Sequence, residues 1–300
     1  MKIDLSGLST ETVNPKSENL SGMSILSAVE LMNEEDYNAV RCVGKEKEMI
    51  AKVIEKTSKS LCSNGRIIYC GSGTSGRLGV LDAVECPPTF GVDYETVIGL
   101  IAGGENAFVK AKEGAEDSEE EGAEALKAID LKPNDTVIGI AASGRTPYVI
   151  GALRYAQEVG ASTAAIVCNA NSPISRMTED TIEVIPGPEV LTGSTRLKAG
   201  TATKMVLNMI STISMVQAGK VFRNYMVDVK TTNEKLVQRA KNIIAAVTGC
   251  SQERASQLLE ESGSHVKTAI IMELLNVSKD EARAALDANQ GHIEKVLANR

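Results

Sequence analysis

Two short loops rich in glycine and hydroxyl side chains carry the clearest chemistry in the sequence. The first, Gly71–Gly76, reads Gly-Ser-Gly-Thr-Ser-Gly and directly follows the apolar run Ile67–Cys70. The second, Ser143–Thr146, reads Ser-Gly-Arg-Thr and follows the apolar run Val137–Ala142. Each pattern predicts a strand, a loop and the start of a helix, where unpaired N–H groups and the helix dipole favour a phosphate. Together the two loops predict one pocket for a phosphorylated small molecule.

Hydroxyl side chains in these loops are the candidate ligands, because they donate hydrogen bonds to phosphate and sugar oxygens. The candidates are Ser72, Thr74, Ser75, Ser143 and Thr146. The first loop also spells G-x-G-x-x-G, which is the pattern of a dinucleotide site. Such a site needs an acidic residue at the end of the second strand. Here Glu105 follows only after a glycine pair, so the pattern favours a sugar phosphate over a dinucleotide or a purely structural turn.

Apolar runs alternate with helical patterns through the middle of the chain. Runs that are nearly all apolar are typical of parallel strands with both faces covered. We therefore predict an α/β fold, with a parallel five-stranded sheet, helices on both faces and a small all-helical C-terminal appendage. In such a sheet the ligand lies beyond the carboxyl ends of the strands, where both loops fall. The predicted strands are 66–70, 96–101, 136–141, 164–168 and 181–185.

Three parts are predicted along the chain. Residues 1–60 form an N-terminal arm and helices that pack on the core, and Asn33–Asp36 is expected to open one of these helices. Residues 61–232 form the phosphate-binding domain, and residues 233–300 form a helical domain. The last part contains a repeat, since residues 251–270 match 278–297 at an offset of 27 residues. His265 and His292 share one position of this repeat, which favours a structural role for both.

Composition excludes several classes of partner. The net charge is −7, aromatic residues make up 3% and no run is rich in Lys or Arg, which argues against nucleic acid or an anionic membrane. No stretch approaches the roughly 20 apolar residues of a membrane span. The first residues lack the apolar core of a signal peptide, so we expect a cytoplasmic protein. The six cysteines show no close pairing, which predicts reduced thiols rather than disulfides or a zinc site.

Acid–base chemistry in the predicted sheet domain has no histidine available. It must use carboxylate, Lys, Tyr or Cys side chains. Two glutamates stand out. Glu85 lies at the end of the helix that begins on the first loop, where Pro87 and Pro88 are expected to stop it. Glu116 lies in an acidic run, and from the residues alone both glutamates read as surface acids.

The segment Gly187–Thr201 is dense in small and hydroxyl residues, which favours a close approach to a ligand or to a second subunit. Its basic residues Arg196 and Lys198 either neutralise a ligand anion or pair with acids at an interface. The segment resembles the signature shared by the N-acetylmuramic acid 6-phosphate etherase family and the glucokinase regulatory protein. Residues 9–14, 101–104 and 113–117 also resemble the etherases.

This resemblance extends over nearly the whole chain and implies a function. Residues 61–232 would be a sugar isomerase domain in a cofactor-free, metal-free lyase that removes D-lactate from N-acetylmuramic acid 6-phosphate. It implies that Glu85 and Glu116 are the acid–base pair, and it adds Glu189, Ser194 and Lys198 as candidate substrate-binding residues. It also implies a homodimer. An aldose–ketose isomerase and a non-catalytic sugar-phosphate sensor remain the alternatives.

Overall fold

Five parallel strands form the central sheet, which confirms the predicted fold class. In chain order they are β1 Ile67–Gly71, β2 Val97–Ile101, β3 Thr136–Ala141, β4 Ser162–Val167 and β5 Thr181–Glu183. Their order across the sheet is β2-β1-β3-β4-β5. β1 pairs in parallel with both β2 and β3. The segments that follow these three strands therefore all start at the same end of the sheet, where the strands have their carboxyl ends.

The computed structural model describes residues 7–110, 112–231 and 233–299. Helices and one short antiparallel hairpin, β6 Val221–Phe222 and β7 Tyr225–Met226, accompany the sheet in these ranges. The helices are α1 Ile25–Lys45, α2 Lys47–Cys62, α3 Gly73–Phe90, α4 Glu119–Ala128, α5 Pro147–Val159, α6 Lys198–Gln217, α7 Glu234–Thr248, α8 Gln252–Glu261, α9 Val266–Leu275, α10 Lys279–Ala288 and α11 Ile293–Ala298.

The chain divides into two compact units. The first contains the chain up to Val84 together with Glu95–Ser211, and so holds the whole sheet. The second contains Glu85–Tyr94 together with Thr212–Arg300. The three-part division made from the sequence stays a prediction. In the described ranges no helix is both long enough and apolar enough to cross a membrane.

Both faces of the sheet are covered, as the apolar strand composition requires. Side chains alternate along each strand, so Ile68 and Tyr69 of β1 point to opposite faces. Ile68 packs in one core cluster with Leu126 of α4 and Leu153 of α5. On the other face the Tyr69 hydroxyl donates to Asp82 of α3 at 3.2 Å. Helix α2 also packs against β1, β3 and β5.

Two helix boundaries differ from the predictions. Helix α1 begins at Ile25, after Ser24, whose hydroxyl accepts a hydrogen bond from the Ser27 N–H, so the acidic run Asn33–Asp36 lies inside the helix rather than at its start. Helix α3 does not stop before its prolines but continues through Pro87 and Pro88. The φ that a proline ring imposes is itself helical, so the helix continues without two N–H donors.

In the second unit the repeat folds into pairs of helices. Ser251 and Ser278 occupy matching positions and cap α8 and α10. His265 and His292 likewise sit at the N-caps of α9 and α11, and the His265 ring accepts the Thr268 N–H. Both histidines therefore mark the starts of equivalent helices.

Helices α4 and α5 approach so closely that they leave no room for a methyl group at their contact. A Cβ at Gly151 would collide with the Glu119 carbonyl, and one at Gly122 would collide with the Tyr148 carbonyl. By contrast, Gly44 in α1 has open space around it. Gly151 and Gly122 thus set the distance between α4 and α5, the two helices that cover one face of the sheet.

We predict that Gly151→Ala destabilises the protein by about 1–3 kcal/mol, because overpacking outweighs the better helix propensity of alanine. The matched control Gly44→Ala stabilises by up to about 1 kcal/mol, because only propensity changes there. Urea unfolding followed by circular dichroism measures both. A Gly151→Ala protein as stable as Gly44→Ala would contradict the close packing.

Candidate active site

The first loop takes the predicted strand–loop–helix form. Ser72 follows β1, and α3 begins at Gly73, whose φ of +51° lies in the left-handed region that glycine adopts easily. The Ser72 carbonyl accepts the Gly76 N–H at 3.1 Å, which closes the first turn. Thr74 and Ser75 lie half-buried in that turn. The N–H groups at the start of the helix and these hydroxyls form a cradle suited to an anion.

Glu116 is brought to this loop from a distant part of the sequence. It lies in the short 3-10 turn Ala115–Asp117, which follows Gly114 at a φ of +76°. The Ser72 hydroxyl donates to Glu116 Oε2 at 2.9 Å. An exposed carboxylate therefore stands directly beside the predicted phosphate cradle, although the sequence alone had placed it in a solvated charge run.

A cavity of about 200 Å³ opens beside this pair, and Ser72 and Glu116 both line it. Arg77 in α3 forms part of the wall, where its Nε donates to the Phe108 carbonyl at 2.8 Å and an Nη to the Ala107 carbonyl at 3.0 Å. Lys112 lines the cavity as well. Neither Arg77 nor Lys112 is among the predicted site residues, although Arg77 directly follows the first glycine-rich loop.

The second loop lies at the same edge of the sheet, because β3 pairs with β1 in parallel register. Gly144 has a φ of +68°, and a side chain there would collide with Ser172, so the turn needs glycine. The Ser143 hydroxyl accepts the Arg145 N–H at 3.4 Å. Thr146 is the N-cap of α5, but its hydroxyl makes no capping bond. The loop thus presents Ser143 and Thr146 near a second helix start.

The segment Gly187–Thr201 is held by a buried carboxylate. Glu189 accepts the Ala199 N–H at 2.9 Å and the Lys198 N–H at 3.1 Å, which are the first N–H groups of α6. Burial raises the pKa of Glu189, and the two N–H donors partly oppose that rise. Ser194 lies half-buried in the turn between them. Arg196 lines a separate cavity of about 370 Å³ together with Thr74.

Lys198 is also buried, and its ammonium is surrounded by protein groups. It donates to Glu35 Oε2 at 2.5 Å and to the Pro188 carbonyl at 2.7 Å. Glu35 in α1 additionally accepts hydrogen bonds from Asn14 and Lys16 at 2.9 Å each. Glu35 is not among the residues predicted from the sequence. Substrate contact by Glu189 and Lys198 stays a prediction, whereas their contacts within the chain hold this segment in place.

Glu85 lies exposed on α3, in the stretch Glu85–Tyr94 that belongs to the second unit. Its assignment as an acid–base residue stays a prediction. In the described part of the chain no group of three or more His, Cys, Asp or Glu side chains is arranged to hold a metal ion.

Three models of known protein domains match this chain. The N-terminal SIS (sugar isomerase) domain of glucokinase regulatory protein matches residues 48–157, and the general SIS domain matches residues 116–216. The C-terminal lid domain of glucokinase regulatory protein matches residues 223–263. An N-acetylmuramic acid 6-phosphate etherase from Francisella tularensis subsp. holarctica is 56% identical over 97% of this chain and 99% of its own length. The chain belongs to the N-acetylmuramic acid 6-phosphate etherase family.

Other similarities fit membership of the etherase family. An N-acetylmuramic acid 6-phosphate etherase from Bacillus cereus strain B4264 is 57% identical over 98% of this chain and its whole length. Among solved structures, a Bacteroides fragilis protein described as a phosphosugar isomerase involved in capsule formation has a TM-score of 0.50. It is 16% identical and covers 70% of this chain and 98% of its own, so it supports the fold alone.

The Glu35 network makes a pH-dependent contribution to stability. Burial acts to raise the pKa of Glu35, but hydrogen bonds from Lys198, Lys16 and Asn14 outweigh it and lower the pKa from 4.5 to about 2. A carboxyl whose pKa is lowered by folding stabilises the native state above its unfolded pKa. We therefore expect this contribution to be complete near pH 6 and to be lost as the pH falls from 4.5 towards 2.

We predict that Glu35→Gln destabilises the protein by about 3 kcal/mol at pH 7, because it leaves the Lys198 ammonium buried without a counter-charge. The same change flattens the loss of stability below pH 4.5. The neighbouring Glu34 is exposed, so Glu34→Gln is the matched control and changes little. Urea midpoints between pH 3 and pH 7 test this. If the urea midpoints of wild type and Glu35→Gln change equally with pH, the Glu35 network is not the source of the pH dependence.

Proposed function

We propose that this chain cleaves the D-lactyl ether of N-acetylmuramic acid 6-phosphate to give N-acetylglucosamine 6-phosphate and D-lactate. Family membership with relatives of that name supports the substrate. The structural observation that carries the proposal is the hydrogen bond from Ser72 to Glu116. This bond holds a carboxylate beside a loop suited to a sugar phosphate. A base that acts on a phosphorylated sugar must lie beside the group that binds the phosphate.

The reaction needs only acid–base chemistry. In the open-chain sugar the C2 proton is acidic, because it lies next to the C1 aldehyde. A carboxylate removes this proton, the C2–C3 double bond forms, and the C3–O bond breaks to release lactate. Water then adds at C3 of the unsaturated aldehyde and a proton returns to C2. Two carboxyl groups can divide these proton transfers between them, with no cofactor or metal.

In our assignment Glu116 is the base at C2, and Glu85 donates the proton to the departing lactate. The position of Glu116 beside Ser72 supports the first role. The second role rests on the family resemblance and on the exposure of the Glu85 side chain. The phosphate and sugar hydroxyls would be bound by residues at the starts of α3 and α5 and in the segment Gly187–Thr201. These ligands are Ser72, Thr74, Ser75, Ser143, Thr146 and Ser194.

Incubation of the pure protein with N-acetylmuramic acid 6-phosphate tests the function, and we expect one D-lactate for each sugar consumed. Glu85→Ala and Glu116→Gln should each lower the rate at least about 100-fold, as expected for loss of a general acid or base. Glu120→Gln, an exposed neighbour in α4, should leave the rate unchanged. Tight binding without lactate release would favour the sensor, and aldose–ketose conversion without lactate release would favour the isomerase.

Exchange of the C2 hydrogen with deuterated solvent separates the two glutamates. We predict that Glu116→Gln loses this exchange in N-acetylglucosamine 6-phosphate, because the base at C2 is gone. Glu85→Ala should retain exchange while it loses lactate release, because only the step at C3 is blocked. Exchange at the wild-type rate in Glu116→Gln would remove Glu116 from the role of base.

We also propose that the protein is a homodimer that uses the outer face of α1. Large apolar residues recur there at helical spacing, and Ile25, Leu26 and Val29 have exposed fractions of 87%, 67% and 57%. Met32 and Val40 continue the same stripe. A contiguous exposed apolar stripe on a soluble domain marks an interaction surface, and the family resemblance points to a second copy as its occupant. The cytoplasmic location also stays a proposal.

Sedimentation equilibrium tests the dimer. We predict that Val29→Lys shifts the mass from dimer to monomer, because it buries a charge in the apolar contact. Glu34→Lys introduces the same ammonium away from the stripe and should leave the dimer intact. A wild-type mass of one chain, or a dimer that survives Val29→Lys, would exclude this surface.

A further inference from the structure

The proposed substrate carries two anionic groups, and the loops account for only one of them. Helix starts and hydroxyls in the loops suit the phosphate at C6. The lactyl group attached at C3 carries a carboxylate, which lies three bonds from C3 and thus close to the C2 proton that Glu116 would remove. A side chain that binds this carboxylate must therefore lie in the cavity that Glu116 lines.

Arg77 and Lys112 are the cationic side chains that line this cavity. The Arg77 guanidinium already donates to the carbonyls of Ala107 and Phe108, so it fixes the cavity wall. The Lys112 ammonium has a weaker attachment, since Glu121 Oε1 lies 3.9 Å away and the two side chains are 62% and 47% exposed. An exposed pair at this distance contributes little, so a ligand carboxylate can displace Glu121 at small cost.

Gly103 shapes the position of Lys112. It has a φ of +87°, and a Cβ at this glycine would lie 2.9 Å from Lys112 Cβ and 3.3 Å from its Cδ. The lysine stem therefore packs over the bare backbone of Gly103, which restricts the directions that the ammonium can take. This contact orders a long side chain that would otherwise lose more conformational freedom when it binds a ligand.

We propose that Lys112 binds the carboxylate of the lactyl group and so selects the leaving group of the ether. The inference rests on the proposed function. As the C3–O bond breaks, negative charge grows on the lactate oxygen, next to a carboxylate that is already charged. An ammonium beside both groups offsets this repulsion, so Lys112 stabilises the transition state as well as the bound substrate.

A comparison of two substrates tests the role of Lys112. One is N-acetylmuramic acid 6-phosphate, and the other is its analogue in which the lactyl carboxylate is a neutral carboxamide. Release of N-acetylglucosamine 6-phosphate reports on both. We expect Lys112→Met to lower kcat/KM about tenfold or more for the acid, the loss typical of one hydrogen bond between charged groups. It should change kcat/KM for the amide by less than about twofold.

Two further variants complete the test. Lys112→Arg keeps the charge and should retain most of the activity on the acid. Lys110→Met removes a nearby exposed charge outside the cavity and should leave both substrates unaffected. Equal losses on acid and amide, or no loss on either, would overturn the proposal, since the first indicates a structural role and the second no role.

Failure of the proposed function gives a different result. If the wild-type protein converts neither substrate, the etherase assignment fails, whatever Lys112 does. The same variants are then compared by calorimetric titration with the two compounds. Weaker binding of the acid alone in Lys112→Met still assigns the carboxylate to Lys112, and equal affinities reject it.

Discussion

The parallel pairing of β1 with both β2 and β3 is the constraint on which the candidate site depends. Parallel strands end at the same edge, so the three segments that follow them start side by side. The segment after β1 carries Ser72, the one after β3 carries Ser143, and the one after β2 leads to Glu116. An order that placed another strand between β1 and β2 would move the carboxylate away from the first loop by the width of a strand or more.

A second set of interactions, made by the buried carboxylates Glu35 and Glu189, holds the segment Gly187–Thr201 against the rest of the first unit. The Glu35 carboxylate accepts hydrogen bonds from Asn14, Lys16 and Lys198, and so joins the N-terminal arm, α1 and the start of α6. Glu189 caps α6 from within the same segment. Glu35 and Lys198 are both buried and paired with each other, so the loss of either one leaves the other charge uncompensated and destabilises the segment.

The bounds of helices and strands were predictable from the sequence where a local residue pattern determines them. They were less predictable where neighbouring residues determine where a helix starts or stops. Strand β3 has the predicted bounds, because a continuous apolar run of this length encodes one structure. The stop expected at Pro87 was wrong, since proline disfavours but does not forbid a helix. The start expected at Asn33 was wrong because Ser24 caps the helix two turns earlier.

The sequence by itself determined the fold class, the two phosphate-type loops and the edge of the sheet where they lie, because periodicity and glycine-rich turns act over short distances. It also carried the resemblance that pointed to Glu85 and Glu116. Only the tertiary structure placed Glu116 against Ser72, buried Lys198 on Glu35 and set Lys112 over Gly103. The first two contacts join residues far apart in the chain, and packing and desolvation decide all three rather than local propensity.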